Sequence, residues 1–435
     1  MSKRILAFCV VVVLLFSCAA ADDAAGGVFS QSGSVSISTR EYQRLKQFEK
    51  LAVLMDLTER YYDGEYDVDK MIDSAASGLM EGIGDIYSFY YPKEKMEQFN
   101  EESLGQYKGI GVMLLADPSD KLITITRVFR NSPAEKAGLQ SGDKIVYIND
   151  VYYSAYEMQD AVNVMRGAEE PLKLTVLRKD EGKEFEVVSA HVDINYVEYE
   201  ILDGNIGYVI VYDFLGDSAK GFQEAIDLFQ KNNVQGMIID LRNNGGGIVD
   251  DAVRIADMIL PYGTVVSMID KDGEKTEELI DFDYYDVPIA VLVNRYSASA
   301  SEILSGAIRD FGAGVLVGEK TFGKGVVQGA MEFKDGSGVQ ITMAKYYTPK
   351  GYNIHGTGLE PDVAVALDED VVTIYGINNL PREKDSQLQM AIQILRGEIA
   401  TDDEAVRRAV DTMKHRAPAM PDPVEFPTEA GKSGD

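Results

Sequence analysis

Hydrophobic residues recur at two different spacings along this chain, and the change of spacing divides it into regions. Between residues 41 and 80 the spacing is helical. It predicts one helix from Glu41 and a second over Val68–Met80. From Asn195 onward, short apolar runs alternate with amphipathic stretches. We expect strands at residues 206–211, 237–241 and 287–293, and helices at residues 218–230, 249–260 and 298–310. Strands that alternate with helices predict a mixed α/β domain of layered βαβ units with some parallel sheet.

A smaller unit of a different kind lies between these two regions, over residues 106–190. Its pattern predicts strands at residues 122–128, 144–148, 172–178 and 184–188, and helices at residues 133–137 and 155–166. Gly138 ends the first of these helices, as glycine commonly does at a helix C-terminus. The length of the unit suits one small inserted domain.

The first residues have the pattern of a secretory signal. Two basic residues precede twelve apolar residues, Ile5–Phe16, and small residues follow. A membrane-spanning helix needs about 20 apolar residues, so the segment predicts an export signal over residues 1–21. Two processing routes fit: cleavage after Ala21, or a lipoprotein site with Cys18 as the lipidated residue. Both predict an extracytoplasmic protein of the bacterial periplasm or cell envelope, with a membrane tether only through a lipidated Cys18.

Charge and composition exclude several classes of function. The 42 Lys and Arg residues are outnumbered by 71 Asp and Glu, and the net charge of −29 disfavours nucleic acid as a partner. The two cysteines, Cys9 and Cys18, lie in the N-terminal segment, and the three histidines are scattered singly. These residues supply neither a zinc cluster nor a Ser–His–Asp triad. We therefore expect no metal and no cofactor.

The inserted unit resembles a PDZ domain. The resemblance depends on two motifs, Gly109-Ile110-Gly111-Val112 and the run Ser132-Pro133-Ala134-Glu135-Lys136-Ala137-Gly138-Leu139-Gln140-Ser141-Gly142-Asp143. A Gly-x-Gly turn lets backbone N–H groups converge on a carboxylate, and the strand that follows offers an open edge to an extended peptide. The resemblance implies that Gly109, Ile110, Gly111 and Val112 bind the C-terminus of a peptide.

Three segments of the α/β region carry residues suited to catalysis. They are Asp240-Leu241-Arg242-Asn243-Asn244-Gly245-Gly246-Gly247, Asn294-Arg295-Tyr296-Ser297-Ala298-Ser299-Ala300-Ser301-Glu302 and Thr321-Phe322-Gly323-Lys324-Gly325-Val326-Val327-Gln328. In this order, and with the late motif Asp385-x-Gln387-Leu388-Gln389, they resemble the carboxyl-terminal processing peptidases. That family consists of extracytoplasmic serine endopeptidases with an embedded PDZ domain. The similarity extends from about Ile83 to Leu395.

The resemblance implies a Ser–Lys catalytic dyad. In the family the nucleophile lies 25 positions before the lysine, which selects Ser299 as nucleophile and Lys324 as general base, with Gln328 orienting the base. Lysine acts as a base only when neutral, so its pKa must fall, usually through burial among apolar groups. We expect Phe322, Val326 and Val327 to form that apolar wall. Ser299 with Glu302 also fits a helix capping box, which is the alternative explanation for a serine at this position.

Two further assignments follow from the resemblance. Backbone amides of Gly246 and Ala300 are expected to form the oxyanion hole, although this chain has Gly245 where the family usually has proline. Arg166, at the end of the PDZ helix, matches an arginine that couples PDZ docking to the protease site in the family. A favourable contact with the helix dipole explains Arg166 equally well.

The predicted organisation is a signal at residues 1–21, a flexible leader and helical region at 22–105, and the PDZ domain at 106–190. An α/β serine protease core at 191–368, a helical segment at 369–415 and a disordered tail at 416–435 complete it. The expected function is endoproteolysis of proteins with free C-termini, with a homo-oligomer or an adaptor protein as further partner. The alternatives are a non-catalytic peptide- or ligand-binding scaffold, or a crotonase-like acyl-CoA enzyme, on a similar fold.

Overall fold

The computed structural model describes residues 36–117, 120–281, 283–368, 371–372, 377, 380–398 and 404–415. The predicted export signal, Cys18 and the predicted disordered tail lie outside these residues. Two compact units are present: residues 36–97 with 328–342, and residues 98–327 with 343–415. The helices are α1 Thr39–Gln47, α2 Glu49–Tyr61, α3 Val68–Glu81, α4 Lys93–Ser103, α5 Pro133–Ala137, α6 Met158–Gly167, α7 Ser218–Lys231, α8 Val249–Ile259, α9 Ala300–Asp310, α10 Ser386–Leu395 and α11 Glu404–His415.

Nineteen strands are found among the same described residues. They are β1 Phe89–Tyr91, β2 Gln106–Gly109, β3 Val112–Asp117, β4 Leu122–Val128, β5 Lys144–Ile148, β6 Val151–Tyr152, β7 Leu172–Arg178, β8 Glu181–Val187, β9 Ala190–Asp193, β10 Val197–Leu202, β11 Ile206–Val211, β12 Gly236–Asp240, β13 Gly263–Asp270, β14 Lys275–Ile280, β15 Ile289–Val293, β16 Gly314–Gly318, β17 Val326–Glu332, β18 Gly338–Tyr347 and β19 Val363–Ala364.

The first unit consists mainly of α1–α3 with a small antiparallel sheet. A reciprocal pair of hydrogen bonds begins α1: Ser38 Oγ accepts from the Glu41 N–H at 3.2 Å, and the Glu41 carboxylate accepts from the Ser38 N–H at 2.8 Å. The single helix predicted from Glu41 is in fact two helices that meet at Phe48, whose ψ of 2° departs from helical geometry. Within this unit β1 pairs antiparallel with the first residues of β18.

The PDZ part of the second unit is an antiparallel sheet in the order β3-β4-β5-β7-β8, with β6 paired to β5. Alternate residues of β4 are fully buried, as expected of a strand with one face on the core. The predicted helix over 155–166 is a 3₁₀ turn at Ala155–Glu157 followed by α6. Among the described residues β3 is an edge strand, so one side of its backbone is open to an added peptide strand.

The α/β part of the second unit has a six-stranded sheet in the order β10-β11-β12-β15-β16-β19. All neighbouring pairs are parallel except β10 with β11. Helices α7, α8 and α9 pack on one face of this sheet, and α10 and α11 pack on the other. The predicted mixed α/β architecture with an inserted PDZ domain is therefore confirmed. The hairpin β13–β14 was not predicted from the sequence.

The carboxyl ends of the parallel strands meet at one edge of this sheet. The three segments that carry candidate catalytic residues follow β12, β15 and β16, which are neighbours in that order. Open α/β sheets bind ligands at this edge because the connecting loops converge there. The topology thus brings together segments that are far apart in the sequence.

Candidate active site

A buried ion-pair network holds the loop that follows β12. Arg242 is 7% exposed, and its guanidinium donates to Asp240 at 2.6 Å, to Asp385 at 2.8 Å and to the Gln387 amide oxygen at 3.2 Å. Burial disfavours the charged guanidinium, but the two carboxylates raise the pKa of Arg242 well above its usual value. Tyr208 donates to Asp240 at 2.7 Å. The loop after β12, residues 241–247, is called the glycine loop. Asp385 and Gln387 come from the late motif, so this motif binds the glycine loop through Arg242.

Asn244 connects this loop to the segment that carries the candidate nucleophile. Its side-chain amide donates to the Val211 carbonyl at 2.7 Å. Its own carbonyl accepts from the Ala298 N–H at 3.0 Å and from the Ser301 hydroxyl at 2.9 Å. Asn244 Oδ1 accepts from the Gly246 N–H at 2.8 Å. The asparagine therefore fixes β11, the glycine loop and the start of α9 relative to one another.

Three of the four serines between positions 297 and 305 bind backbone carbonyls. Their hydroxyls donate as follows: Ser297 to Leu241 at 2.7 Å, Ser301 to Asn244 at 2.9 Å and Ser305 to Ser301 at 2.7 Å. All three are fully buried, so their hydroxyls have a structural role. No such bond to a backbone carbonyl is found for the Ser299 hydroxyl among the described residues.

Ser299 has a strained backbone at the N-terminus of α9. Its φ is 55° and its ψ is −117°, whereas an ordinary N-cap residue is extended. Such conformations cost about 1–3 kcal/mol and concentrate at functional sites. The Ser299 carbonyl accepts from the buried Tyr346 hydroxyl at 3.2 Å. The capping-box alternative alone does not account for this geometry.

The carboxylate of Glu302 links the nucleophile segment to the lysine segment. One oxygen accepts from the backbone N–H of Ser299 at 3.0 Å and of Lys324 at 2.9 Å. The other accepts from the Gly323 N–H at 2.8 Å and from the Thr321 hydroxyl at 2.5 Å. Because Ser299 and Lys324 share one acceptor, their backbone nitrogens lie no more than the sum of those distances, 5.9 Å, apart.

The sequence pattern predicts only a helix-capping role for Glu302. It does not reveal the bonds that this carboxylate makes to residues 321–324. The side chain is fully buried, and burial raises the pKa of its carboxyl, while its four hydrogen bonds act in the opposite direction. The signal in the sequence was the spacing Ser299-x-x-Glu302. That spacing fits a helix start but does not reveal a partner about 20 residues further along the chain.

Lys324 is half-buried, and a glycine precedes and follows it. Both glycines, Gly323 and Gly325, lie in close contact with residues 354–358. A Cβ at Gly323 would lie 2.7 Å from the Gly358 nitrogen, and one at Gly325 would lie 2.5 Å from the His355 nitrogen. Of the three residues expected to form an apolar wall, Val326 is 7% exposed but Phe322 is 51% exposed. The expectation that Phe322 belongs to a buried wall is therefore wrong, because its ring faces the surface.

The two amides expected to form the oxyanion hole lie together. A Cβ at Gly246, whose φ is 109°, would be 2.7 Å from Ser299 Cβ and 3.0 Å from the Ala300 nitrogen. Among the described residues no acceptor is found for the Ala300 N–H. The Gly246 N–H is engaged by Asn244 Oδ1, so an oxyanion role for Gly246 requires this bond to be shared or released.

Gln328 belongs to the first unit, on β17. Its side-chain amide donates to the Thr342 hydroxyl of β18 at 3.2 Å. This bond connects β17 to β18, which are paired strands.

The candidate peptide-binding residues connect β2 to β3 at the open edge of the PDZ sheet. Gly111 has a φ of 88°, and a Cβ there would lie 2.2 Å from Ser132 Cβ. Ile110 is buried in the PDZ core, and Val112 begins β3. Arg166, near the end of α6, places its guanidinium 5.5 Å from the centre of the Tyr107 ring.

Arg127 joins the PDZ part to the α/β part of the second unit, a role with no signal in the sequence. Its guanidinium lies 3.8 Å from the centre of the Tyr212 ring and donates to the Glu198 carboxylate at 2.8 Å. It also donates to the Asn195 carbonyl at 2.5 Å. Arg127 is on β4 and is 9% exposed, so its side chain is buried at this junction.

Asp213 is a half-buried carboxyl beside that junction. Burial raises its pKa to about 7, against the opposing effect of the Arg127 charge. The next residue, Phe214, donates its N–H to the Gly246 carbonyl at 2.8 Å. A group that titrates near neutral pH therefore lies one residue from a direct contact with the glycine loop.

Two negative findings apply to the described ranges. No group of three or more His, Cys, Asp or Glu side chains there is arranged to hold a metal ion. Every helix in those ranges is too short or too polar to span a bilayer.

Comparison with known proteins identifies both domains. Residues 205–365 match Peptidase family S41, and residues 101–177 match the PDZ domain. CtpA-like serine proteases of Staphylococcus haemolyticus and Staphylococcus aureus are each 34% identical to this chain, over 350 and 334 residues. The alignments cover 79% and 75% of this chain and 68% and 66% of the relatives, so the chain spans about two thirds of their length.

A solved S41 protease from Bacteroides fragilis shares the fold. Its TM-score is 0.55 at 18% identity, with coverage of 74% of this chain and 90% of that one. The chain therefore belongs to peptidase family S41, the carboxyl-terminal processing serine peptidases, and it contains a PDZ domain.

Proposed function

We propose that this protein is an extracytoplasmic endopeptidase that recognises protein C-termini through its PDZ domain and cleaves them with a Ser299–Lys324 dyad. The observation that carries the proposal is the shared bond to Glu302, which brings the backbones of Ser299 and Lys324 within 5.9 Å. The strained Ser299 backbone and the structural bonds of the neighbouring serines support the choice of nucleophile.

In the proposed reaction, neutral Lys324 takes the proton of the Ser299 hydroxyl as its oxygen attacks the scissile carbonyl. The carbonyl oxygen becomes an oxyanion that accepts from the Ala300 N–H and, once its bond to Asn244 is released, from the Gly246 N–H. The lysine ammonium then gives the proton to the leaving amine as the C–N bond breaks. Water attacks the acyl-enzyme through the same base, releasing the new carboxyl end and restoring Ser299.

The supporting groups have separate tasks in this proposal. Gln328 orients the lysine during proton transfer. Residues Gly109–Val112 receive the substrate carboxylate, and Arg166 passes the effect of docking to the protease site. The positive end of the α9 dipole at Ser299 favours the negative charge that develops during attack.

Recognition of a free C-terminus is tested with two peptides that differ only in their last group, an acid or an amide. An amide carries no charge, and its NH₂ opposes the N–H donors of the PDZ turn. Losing one charge-assisted hydrogen bond predicts a kcat/KM at least about tenfold lower for the amide. Mass spectrometry locates the cleaved bond. Equal kcat/KM for the two peptides would reject carboxylate recognition.

The extracytoplasmic location rests on the basic and apolar pattern of residues 1–21. N-terminal sequencing of the protein from its native cell should find a chain that begins after Ala21, or one blocked at a lipidated Cys18. A retained Met1 would contradict export.

A further inference from the structure

Tyr107 lies beside the PDZ turn, two residues before Gly109. Its ring occupies the space that a side chain at position 109 would need, since a Cβ there would lie 2.5 Å from the ring. The Phe129 ring packs against it in a T-shaped arrangement with 6.4 Å between ring centres, and the Arg166 guanidinium lies 5.5 Å from the centre of the Tyr107 ring. Gly109, Phe129 and Arg166 thus fix the position of the phenol.

The hydroxyl of Tyr107 is buried and has no hydrogen-bond partner among the described residues. Most buried polar side-chain atoms have such a partner, so an unpartnered hydroxyl needs an explanation. Burial raises the pKa of Tyr107, so the phenol keeps its proton at neutral pH. The N–H groups of Gly111 and Val112, and more weakly Arg166, act in the opposite direction because they approach the phenol oxygen.

The groups that act on the phenol in this way are donors. They comprise the two backbone N–H groups and the guanidinium of Arg166, and the O–H of Tyr107 is itself a donor. Backbone N–H and guanidinium groups have no lone pair to offer, so none of them accepts the phenol proton. A ligand that satisfies the cluster must bring several acceptor lone pairs and a negative charge, as a carboxylate does.

We propose that the Tyr107 hydroxyl donates a hydrogen bond to the terminal carboxylate of a peptide bound at the PDZ turn, and so determines specificity for a free C-terminus. This inference rests on the proposed function, because it takes the turn at Gly111 and Val112 as the carboxylate site. It adds a side-chain donor to a site otherwise formed by backbone groups. A terminal amide does not satisfy the cluster, since its NH₂ would face a donor.

The test is Tyr107→Phe in the full chain, with Ser299→Ala as background so that the peptide is not cleaved. Phenylalanine keeps the ring on Gly109 and removes only the oxygen. Affinities for a labelled peptide acid and the matching amide are measured by fluorescence anisotropy. We expect Tyr107→Phe to weaken binding of the acid about tenfold and to leave binding of the amide unchanged. Tyr156→Phe, on a tyrosine that is 78% exposed, is the control and should change neither affinity.

The outcomes separate this inference from the proposed function. If the unsubstituted PDZ site prefers the acid and Tyr107→Phe keeps the whole preference, the hydroxyl is not a ligand and only the inference fails. If the acid binds more tightly to Tyr107→Phe, the hydroxyl competes with the carboxylate, and the inference again fails alone. If the unsubstituted site shows no preference, carboxylate recognition itself fails.

Discussion

Replacing Glu302 by glutamine tests the bond network that joins the two halves of the proposed dyad. The amide keeps the shape of the side chain but leaves one accepting oxygen in place of two. In the less costly orientation, the NH₂ of the glutamine faces Gly323 and Thr321. The Thr321 hydroxyl can turn and accept a hydrogen bond from this NH₂, but the Gly323 N–H loses its acceptor. The two bonds from Ser299 and Lys324 remain but lose the negative charge that strengthens them.

One lost bond to a charged group costs about 1.5–3 kcal/mol, and the two weakened bonds add to it. Relief from burying a charge offsets part of this cost, so we expect Glu302→Gln to lower the free energy of unfolding by about 2–4 kcal/mol. Urea unfolding measures this loss. Because Ser299 and Lys324 are held less firmly, kcat should fall about 100-fold, equivalent to about 2.7 kcal/mol, with little change in KM.

The matched control is Glu360→Gln, which breaks an exposed ion pair with Lys320 in the same part of the chain. A pair of this kind contributes about 0–1 kcal/mol, so both stability and turnover should stay close to those of the unsubstituted protein. A Glu302→Gln variant with unchanged stability and unchanged kcat would refute the conclusion that this carboxylate positions the dyad.

Two other substitutions test the surroundings of the site. Gly246→Ala places a Cβ 2.7 Å from Ser299 Cβ, at a φ of 109°, and should lower kcat at least about 100-fold. The control is Gly245→Ala, whose Cβ enters open space, and this variant should retain activity. Equal loss of kcat in the two variants would contradict the close approach of Gly246 to Ser299. The pKa of Asp213, raised to about 7, means that the folded protein holds a proton that the unfolded chain loses near pH 4, so the stability of the unsubstituted protein falls as pH rises between these values. Between pH 5 and pH 8, the unfolding free energy of Asp213→Asn should rise by about 2–3 kcal/mol relative to that of the unsubstituted protein, as measured by urea unfolding. A difference between the two proteins that does not change with pH would contradict the raised pKa of Asp213.

The sequence predicted the α/β strands and helices closely because their apolar runs are long and periodic. Strand β12, predicted at 237–241 and found at Gly236–Asp240, is an example. The order of the motifs then predicted that the three candidate catalytic segments meet, because neighbouring parallel strands end at one edge of the sheet. What the sequence did not reveal depends on contacts between distant residues: the role of Glu302, and the junction made by Arg127. The outward-facing ring of Phe322 was mispredicted for the same reason.

The central claim is that Lys324 is the general base for Ser299, and turnover by Lys324→Arg tests it most directly. Arginine keeps a positive charge at this position but is not deprotonated near neutral pH, so it cannot take the serine proton. We predict cleavage of a fluorogenic peptide acid at the same background level as in Ser299→Ala, with an unchanged melting temperature. Lys320→Arg, an exchange at an exposed lysine four residues earlier, should retain full activity. Turnover by Lys324→Arg within about tenfold of the unsubstituted protein would contradict the Ser–Lys mechanism.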